Sequence, residues 1–254
     1  MKTFIISDIH SNLEALKTFT EFYDRFRGDK EVVCLGDIVG YGPNPAECLE
    51  ILITLTDKIV MGNHDHAVIE PEGETLMNRY ARSGVRFSRQ CLTEEHKRII
   101  SGFPFSIEEE DIIYTHSTPV EPERWRYIDD EYSADRYLEE MEHSLGFVGH
   151  SHIPGLYSTG RLESVDGISG ALSDENISIS ATGIAVMKET KTIVNVGSIG
   201  QPRDHDPRLC FVIFDRSEWT MEEVRLEYNT GKVYKRIQDY GLPSFLGERL
   251  IDGI

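Results

Sequence analysis

Val32-Val33-Cys34-Leu35-Gly36-Asp37 is an apolar run of strand length that stops at a glycine and hands one carboxylate to the loop beyond it. Continuous hydrophobicity without alternation marks a strand covered on both faces. The same grammar recurs along the chain. Thr3–Ser7 stops at Asp8 and His10, Lys58–Met61 at Gly62-Asn63-His64-Asp65, Ile112–Thr115 at His116, and Phe147–Gly149 at His150 and His152. Five expected strands therefore end in oxygen and nitrogen donors, and Asp37 is the residue for which the others supply partners.

Between these strands the spacing turns helical. Asn12 stands as an N-cap before Leu13, Leu16, Phe19, Tyr23 and Phe26, and Asn44-Pro45 opens a second helix through Leu52. Strand, helix, strand, helix, strand predicts parallel pairing and an α/β fold. A helical insertion is expected over about 70–102, with one helix near Glu74–Gln90 and another capped at Thr93. The acidic run Glu108–Asp111 reads as a solvated turn. Ser133 opens a helix through Glu142, and 158–176 reads as an irregular loop. The later strands, Ile177–Ile179, Ile184–Met187, Ile193–Val196, Leu209–Phe214 and Val224–Tyr228, predict a second antiparallel or mixed sheet, followed by helices over Lys232–Tyr240 and Pro243–Ile251. The whole of 1–254 is expected to form one domain.

Composition narrows the classes of partner. With 44 acidic against 26 basic residues in 254, the formal charge of -18 argues against a broad nucleic-acid face and against an anionic membrane surface. The four cysteines show no CxxC spacing and read as reduced, buried small side chains, which predicts a cytoplasmic setting. The sequence has no apolar stretch of membrane-spanning length and passes directly into a strand, so neither a membrane span nor a signal peptide is expected.

Imidazole, carboxylate and amide oxygen together suit Mn, Fe or Zn, and the absence of cysteine from the set argues against a structural zinc site. Asp8 and His10 are two apart, as are His150 and His152, so each pair can project to one side of an extended segment. Any one of these residues alone would be ordinary. Their joint pattern is not: five of the nine histidines stand at strand ends, and His66, His96, His143 and His205 do not.

The ordered set Asp8-Ile9-His10, Gly36-Asp37, Gly62-Asn63-His64-Asp65, His116 and Gly149-His150-Ser151-His152 resembles the motifs of the calcineurin-like metallophosphoesterases, and Asn195–Arg203 resembles the segment that follows them in the bacterial and archaeal branch. The resemblance implies a four-layer α-β-β-α sandwich of two mostly mixed sheets with a dinuclear metal site at its loop edge. It implies that Asp8, His10, Asp37 and His152 hold one ion and Asp37, Asn63, His116 and His150 the other. A metal-bridging hydroxide would attack phosphorus, with His64 as general acid. In the protein Ser/Thr phosphatase branch the second motif continues to an Asp-Arg pair, whereas here those positions are Gly40 and Tyr41. Asp65 is then a candidate to orient His64, and Asn12, Arg124, Arg126 or Arg203 to grip phosphate, with Tyr41 lining the pocket.

The expected function is a metal-dependent phosphatase acting on a phosphomonoester of a small molecule, with two divalent ions, Mn before Fe or Zn, as cofactors. The alternative is a phosphodiesterase or nuclease on the same centre, acting on cyclic nucleotides or other diesters. Phosphoprotein hydrolysis stands behind both, and a non-catalytic interaction module would be expected to have lost ligands, of which none is missing.

Overall fold

The computed structural model describes residues 1–166, 178–179 and 182–254. Strand β1 (Lys2–Ile6) lies parallel to β2 (Lys30–Cys34), with α1 (Leu13–Arg25) as the crossover. Asn12 caps α1, its Oδ1 accepting from the Ala15 N–H. Helix α2 (Pro45–Leu55) begins at the expected proline, but the Asn44 amide donates to Glu47 instead of capping. Lys58–Met61 makes one parallel bridge, Ile59 to Cys34, in place of a full strand. The chain leaves the sheet there because it must turn at Gly62 into α3 (Asn63–Ile69). That turn passes so close to β2 that a Cβ on Gly36 would stand 2.5 Å from the Gly62 nitrogen.

The insertion is a 3-10 turn over Pro71–Leu76, then α4 (Arg79–Cys91) and α5 (Glu94–Ser101). The single long helix expected from Glu74 breaks at Asn78, whose side chain accepts from the Tyr80 and Ala81 N–H groups and starts α4 afresh. Next come β3 (Ser106–Glu109), β4 (Ile112–Thr115), α6 (Glu131–Glu140), β5 (Leu145–Val148), β6 (Gly155–Ser158), β7 (Glu163–Asp166), β8 (Ser178–Ile179), β9 (Thr182–Ala185), β10 (Thr192–Asn195), β11 (Leu209–Asp215), β12 (Thr220–Leu226), α7 (Thr230–Asp239) and α8 (Phe245–Asp252). Asp130, not Ser133, caps α6. The acidic run is only partly a turn, since Glu108 and Glu109 belong to β3 and Glu109 pairs with Lys58 and Arg216. The expected loop over 158–176 contains the end of β6 and all of β7. Residues 159–162 between them are irregular as expected, and 167–176, like Ile177, lie outside the described residues.

Two mixed sheets result, one in the order β2-β1-β11-β12-β9-β7 with β8 against β12, the other β3-β4-β5-β10-β6. The late strands therefore do not make a sheet of their own. β11 pairs antiparallel with β1, while β10 enters the other sheet parallel to β5. Alternation shows which faces are buried but not which neighbour buries them, so this assignment was beyond the pattern.

Period-two alternation builds the layers. Ile5, Val33, Val212 and Phe214 meet Tyr114, Phe147 and Val194 between the sheets. Their neighbours Phe4, Ile6, Phe211 and Ile213 face outward onto Leu16, Phe19 and Leu49 of α1 and α2. On the far side, Ile113, Val148 and Ile193 pack against Ala134, Leu138 and Met141. The architecture is the four-layer α-β-β-α sandwich. A further cluster joins α4, α7 and α8 to the loop after β2: Tyr41, Ala81, Val233, Ile237, Leu242, Leu246 and Leu250. Among the described residues no helix is long and apolar enough to cross a membrane; all four cysteines are free, and three are buried as expected while Cys91, at the end of α4, is exposed.

Candidate metal centre

Asp8, His10, Asp37, Asn63, His116, His150 and His152 converge where β1, β2, β4 and β5 run out. Five of these take left-handed backbone conformations: Asp8 (φ 55°), His10 (47°), Asp37 (53°), His150 (66°) and His152 (63°). Non-glycine residues rarely do so, at a cost on the order of 1–3 kcal/mol each. The turn reverses each strand at once and swings its donor back across the sheet edge. Close packing holds the turns in place. A Cβ on Gly149 would overlap the Ser7 hydroxyl, and one on Gly62 would overlap Asp37.

Two groups of donors lie at the ends of the centre, Asp8 with His10 and His152, and Asp37 with His116 and His150, and a third, His10 with Asp37 and His64, overlaps both. His10 Nε2 and His152 Nε2 lie 3.1 Å apart. Their Nδ1 atoms sit on main-chain carbonyls, 3.1 Å from Val39 and 2.6 Å from Gln201. A carbonyl only accepts, so both Nδ1 atoms carry the proton and the two Nε2 lone pairs face each other. Asp8 Oδ1, 3.1 Å from His152 Nε2, is buried with no hydrogen-bond donor. The second group repeats the arrangement. His116 Nε2 and His150 Nδ1 are 3.1 Å apart, with their far nitrogens on the carbonyls of Leu35 (2.7 Å) and Trp125 (3.0 Å). Asn63 Oδ1 is 3.2 Å from His116 Nε2. Electron-rich atoms packed in this way repel one another unless a cation lies among them, and a far nitrogen fixed by a carbonyl is the usual support of a metal-binding histidine. The residues fit divalent ions.

Asp37 stands between the groups. Its Oδ1 accepts from the His64 N–H at 2.8 Å, which turns Oδ2 toward His116 (3.3 Å) and His10 (3.6 Å). Burial opposes ionisation of Asp8 and Asp37, but the facing imidazoles outweigh it and hold both carboxyls well below the usual range. Burial pushes His150 down to about 4 and His152 to about 3. With no cation present His116 goes the other way, to about 9, because Asp37 overcomes the same burial and a proton on Nε2 then stands where the cation would lie.

His64 lies beside the centre, its ring 4.7 Å from His10 and 4.5 Å from Tyr41. Asp65 does not orient it. The Asp65 carboxylate accepts from the Ile38, Val39 and Gly62 N–H groups and ties the two loops together. Buried His64 Nδ1 has no hydrogen-bond partner and rests against Gly40, where any Cβ would overlap it. The Asn12 amide is committed to Ala15 and to the Gly200 carbonyl, and Arg124 pairs with Glu121. Arg203 does reach the site: its Nη2 is 3.4 Å from the Tyr41 hydroxyl. Segment 195–203 braces the centre from behind, with Asn195 donating to the Gly149 carbonyl and Ser198 to that of Asp8. On the other flank Tyr127, half exposed, stacks on His150 with ring centroids 4.0 Å apart.

A family model described as the calcineurin-like phosphoesterase superfamily domain matches residues 1–218. The chain belongs to that superfamily. This calcineurin-like protein is therefore a phosphoester hydrolase of a metal-dependent family, and its His/Asp groups can bind metal. It is 36% identical over 253 residues to a Methanocaldococcus jannaschii protein described as uncharacterized, covering 98% of this chain and 97% of that one. The crystal structure of a metallophosphoesterase from Sphaerobacter thermophilus is 32% identical, with all of both chains covered and a TM-score of 0.80. A hypothetical protein from Pyrococcus horikoshii shares the fold at 16% identity and a TM-score of 0.75, covering 100% of this chain and 98% of its own.

Three features of the calcineurin-like site escaped the sequence. The carbonyls of Leu35, Val39, Trp125 and Gln201 are main chain and carry no residue signature. The seat of His64 on Gly40 is a contact, not a motif. Arg249 enters from α8, beyond the matched residues, with its guanidinium carbon 5.9 Å from the centre of the Tyr41 ring.

Proposed function

We propose that the protein is a metal-dependent phosphatase that hydrolyses the phosphomonoester of a small molecule. The observation that carries this reading is the pair of facing imidazole couples with Asp37 Oδ2 between them, an arrangement that calls for positive charge. In the proposed assignment Asp8, His10, Asp37 and His152 hold one divalent ion, and Asp37, Asn63, His116 and His150 the other. Such ions attract a phosphate dianion and bring the pKa of water from about 15.7 toward 7. Arg203, steadied by Tyr41 and Gln201, is the group assigned to the non-bridging phosphoryl oxygens. His64 is the group assigned to the leaving oxygen. Burial keeps its imidazole well below its ordinary pKa, with Asp37 opposing and His10, His152 and Arg203 adding to the effect. Trp125 and Tyr127 wall the flank by His116 and His150.

Chelator-treated protein is expected to lose hydrolysis of an aryl phosphate and to regain it with Mn. Full activity in strong chelator, with no metal by elemental analysis, would remove the basis of the proposal. The same protein should be assayed against phosphomonoesters, cyclic nucleotides and linear diesters, and a preference for diesters would overturn the monoester reading.

Substrate size follows from position 41. A phosphate presented on an extended peptide is best held by a bidentate arginine in the second motif, and this chain has a tyrosine packed against His64 and His10 there. Small phosphorylated metabolites or nucleotides are expected to exceed phosphoserine peptides in kcat/KM by about tenfold, or roughly 1.4 kcal/mol. Equal efficiency on the peptides would count against this.

A further inference from the structure

We propose that Arg203 and Arg249 form a cationic path leading out of the metal centre, and that the substrate carries a second anionic group beyond the scissile phosphate, seated at Arg249. The inference deepens the phosphatase reading and rests on it for the position of the first phosphate.

Each guanidinium carbon lies close to the Tyr41 ring, 5.8 Å from its centre for Arg203 and 5.9 Å for Arg249. Among the described residues no Asp or Glu carboxylate lies within ion-pair distance of either, although the chain carries 44 acidic residues and most of its other arginines pair with one. Arg203 spends Nη2 on the Tyr41 hydroxyl and the Gln201 side chain, while its Nε is buried with no partner. Leaving a charged donor unsatisfied costs more than the bond would contribute, so such a group marks a place for a ligand.

The two arginines sit at different depths. Arg203 stands next to the centre, its main-chain N–H donating to the His152 carbonyl. Arg249 feels Arg203 and Tyr41, and burial followed by the Arg203 charge brings it down to about 10. Arg203 therefore belongs with the phosphate at the metals, and Arg249 with whatever continues from that phosphate.

The fold holds Arg249 firmly. Leu246 and Leu250, on either side of it in α8, pack into the cluster that contains Tyr41. Gly253 ends the helix with φ 64°, its carbonyl accepts from His205, and the Arg249 Nε donates to a main-chain oxygen of Ile254, the last residue, which leaves its Nη groups for a ligand. The helix end is thereby anchored to the segment that bears Arg203. Two like charges held side by side repel, and an anion between or beyond them relieves that repulsion.

The test is calorimetric binding of non-hydrolysable probes to Mn-loaded protein. Methylphosphonate carries one anionic group, whereas phosphonoacetate, phosphonopropionate and methylenebisphosphonate carry a second. At least one of the second set is expected to bind about tenfold tighter than methylphosphonate. Arg249→Gln should bring that ratio close to one, and Arg249→Lys should keep part of it. A carboxylate probe leading the series identifies the outer group as a carboxylate, and the bisphosphonate leading identifies a second phosphoryl group. A ratio near one in the wild-type protein overturns the proposal without any variant, as does a ratio unchanged by Arg249→Gln. Should the protein cleave an aryl phosphate while the ratio is one, this inference fails and the phosphatase reading stands. An Arg249-dependent ratio in a protein that cleaves no phosphoester has the opposite meaning.

Discussion

Asp37→Asn is expected to lower kcat/KM by about 10³-fold or more, on the order of 4 kcal/mol of transition-state stabilisation, and to leave neither half of the centre fully loaded with metal. The reason is geometric. The His64 N–H already holds Oδ1 at 2.8 Å, so in the variant the amide oxygen keeps that bond and the amide NH₂ takes the place of Oδ2. An NH₂ cannot ligate an ion, and it would sit against the inward nitrogens of His10 and His116 at the one position both groups share. Elemental analysis and a steady-state assay on an aryl phosphate check it together. A variant that retained its metal and a tenth of the wild-type rate would show that Asp37 is not shared.

The second large effect is expected at Gly40, which holds no ligand. A Cβ there would overlap Nδ1 of His64, and the residue sits at φ 90°, where L side chains are strained. Gly40→Ala should displace the imidazole and reduce turnover by about 10²-fold, within the range attributed to a positioned proton donor, while leaving the metal content alone. His64→Ala should do the same, with the greater loss on substrates that have poor leaving groups. The decisive comparison is the double variant, because with the imidazole gone the alanine has nothing to push against and should cost little more. Fully multiplicative losses would mean that Gly40 acts through the backbone and not through His64. This also gives physical sense to the departure from the Asp-Arg pair. With His64 seated on position 40 there is no room for a side chain, and the arginine reaches the site from the far end of the chain instead.

The residues proposed as ligands were legible because they cluster where apolar runs stop, and a run of strand length can be counted. Asp8, Asp37, His116 and His150 are all found in that way, and the centre assembles from strand ends as the pattern implies. Other features were not legible. Lys58–Met61 looked like a strand and makes only one bridge, since Gly62 must reach Asp37 and that requirement overrides the apolar pattern. Asp65 looked like a partner for His64 because it is its neighbour in sequence, yet the side chains of adjacent helical residues diverge, and Asp65 turns back to the loop after β2. Assignment of the late strands between two sheets depended on long-range pairing, of Thr192 in β10 with Leu145 in β5 and, across most of the chain, of Val212 in β11 with Ile5 in β1. Nothing within a strand encodes its distant neighbour.

The left-handed turns at Asp8, His10, Asp37, His150 and His152 have a consequence for how such a chain can evolve. At each of these positions glycine would relax the backbone by about 1–2 kcal/mol, and would erase a donor in doing so. A lineage released from selection on metal binding thus has five separate substitutions that make the protein easier to fold and end its chemistry, and drift runs toward an inert scaffold of the same shape. A donor stands at every one of the five in this chain, which accords with the metal centre proposed for it.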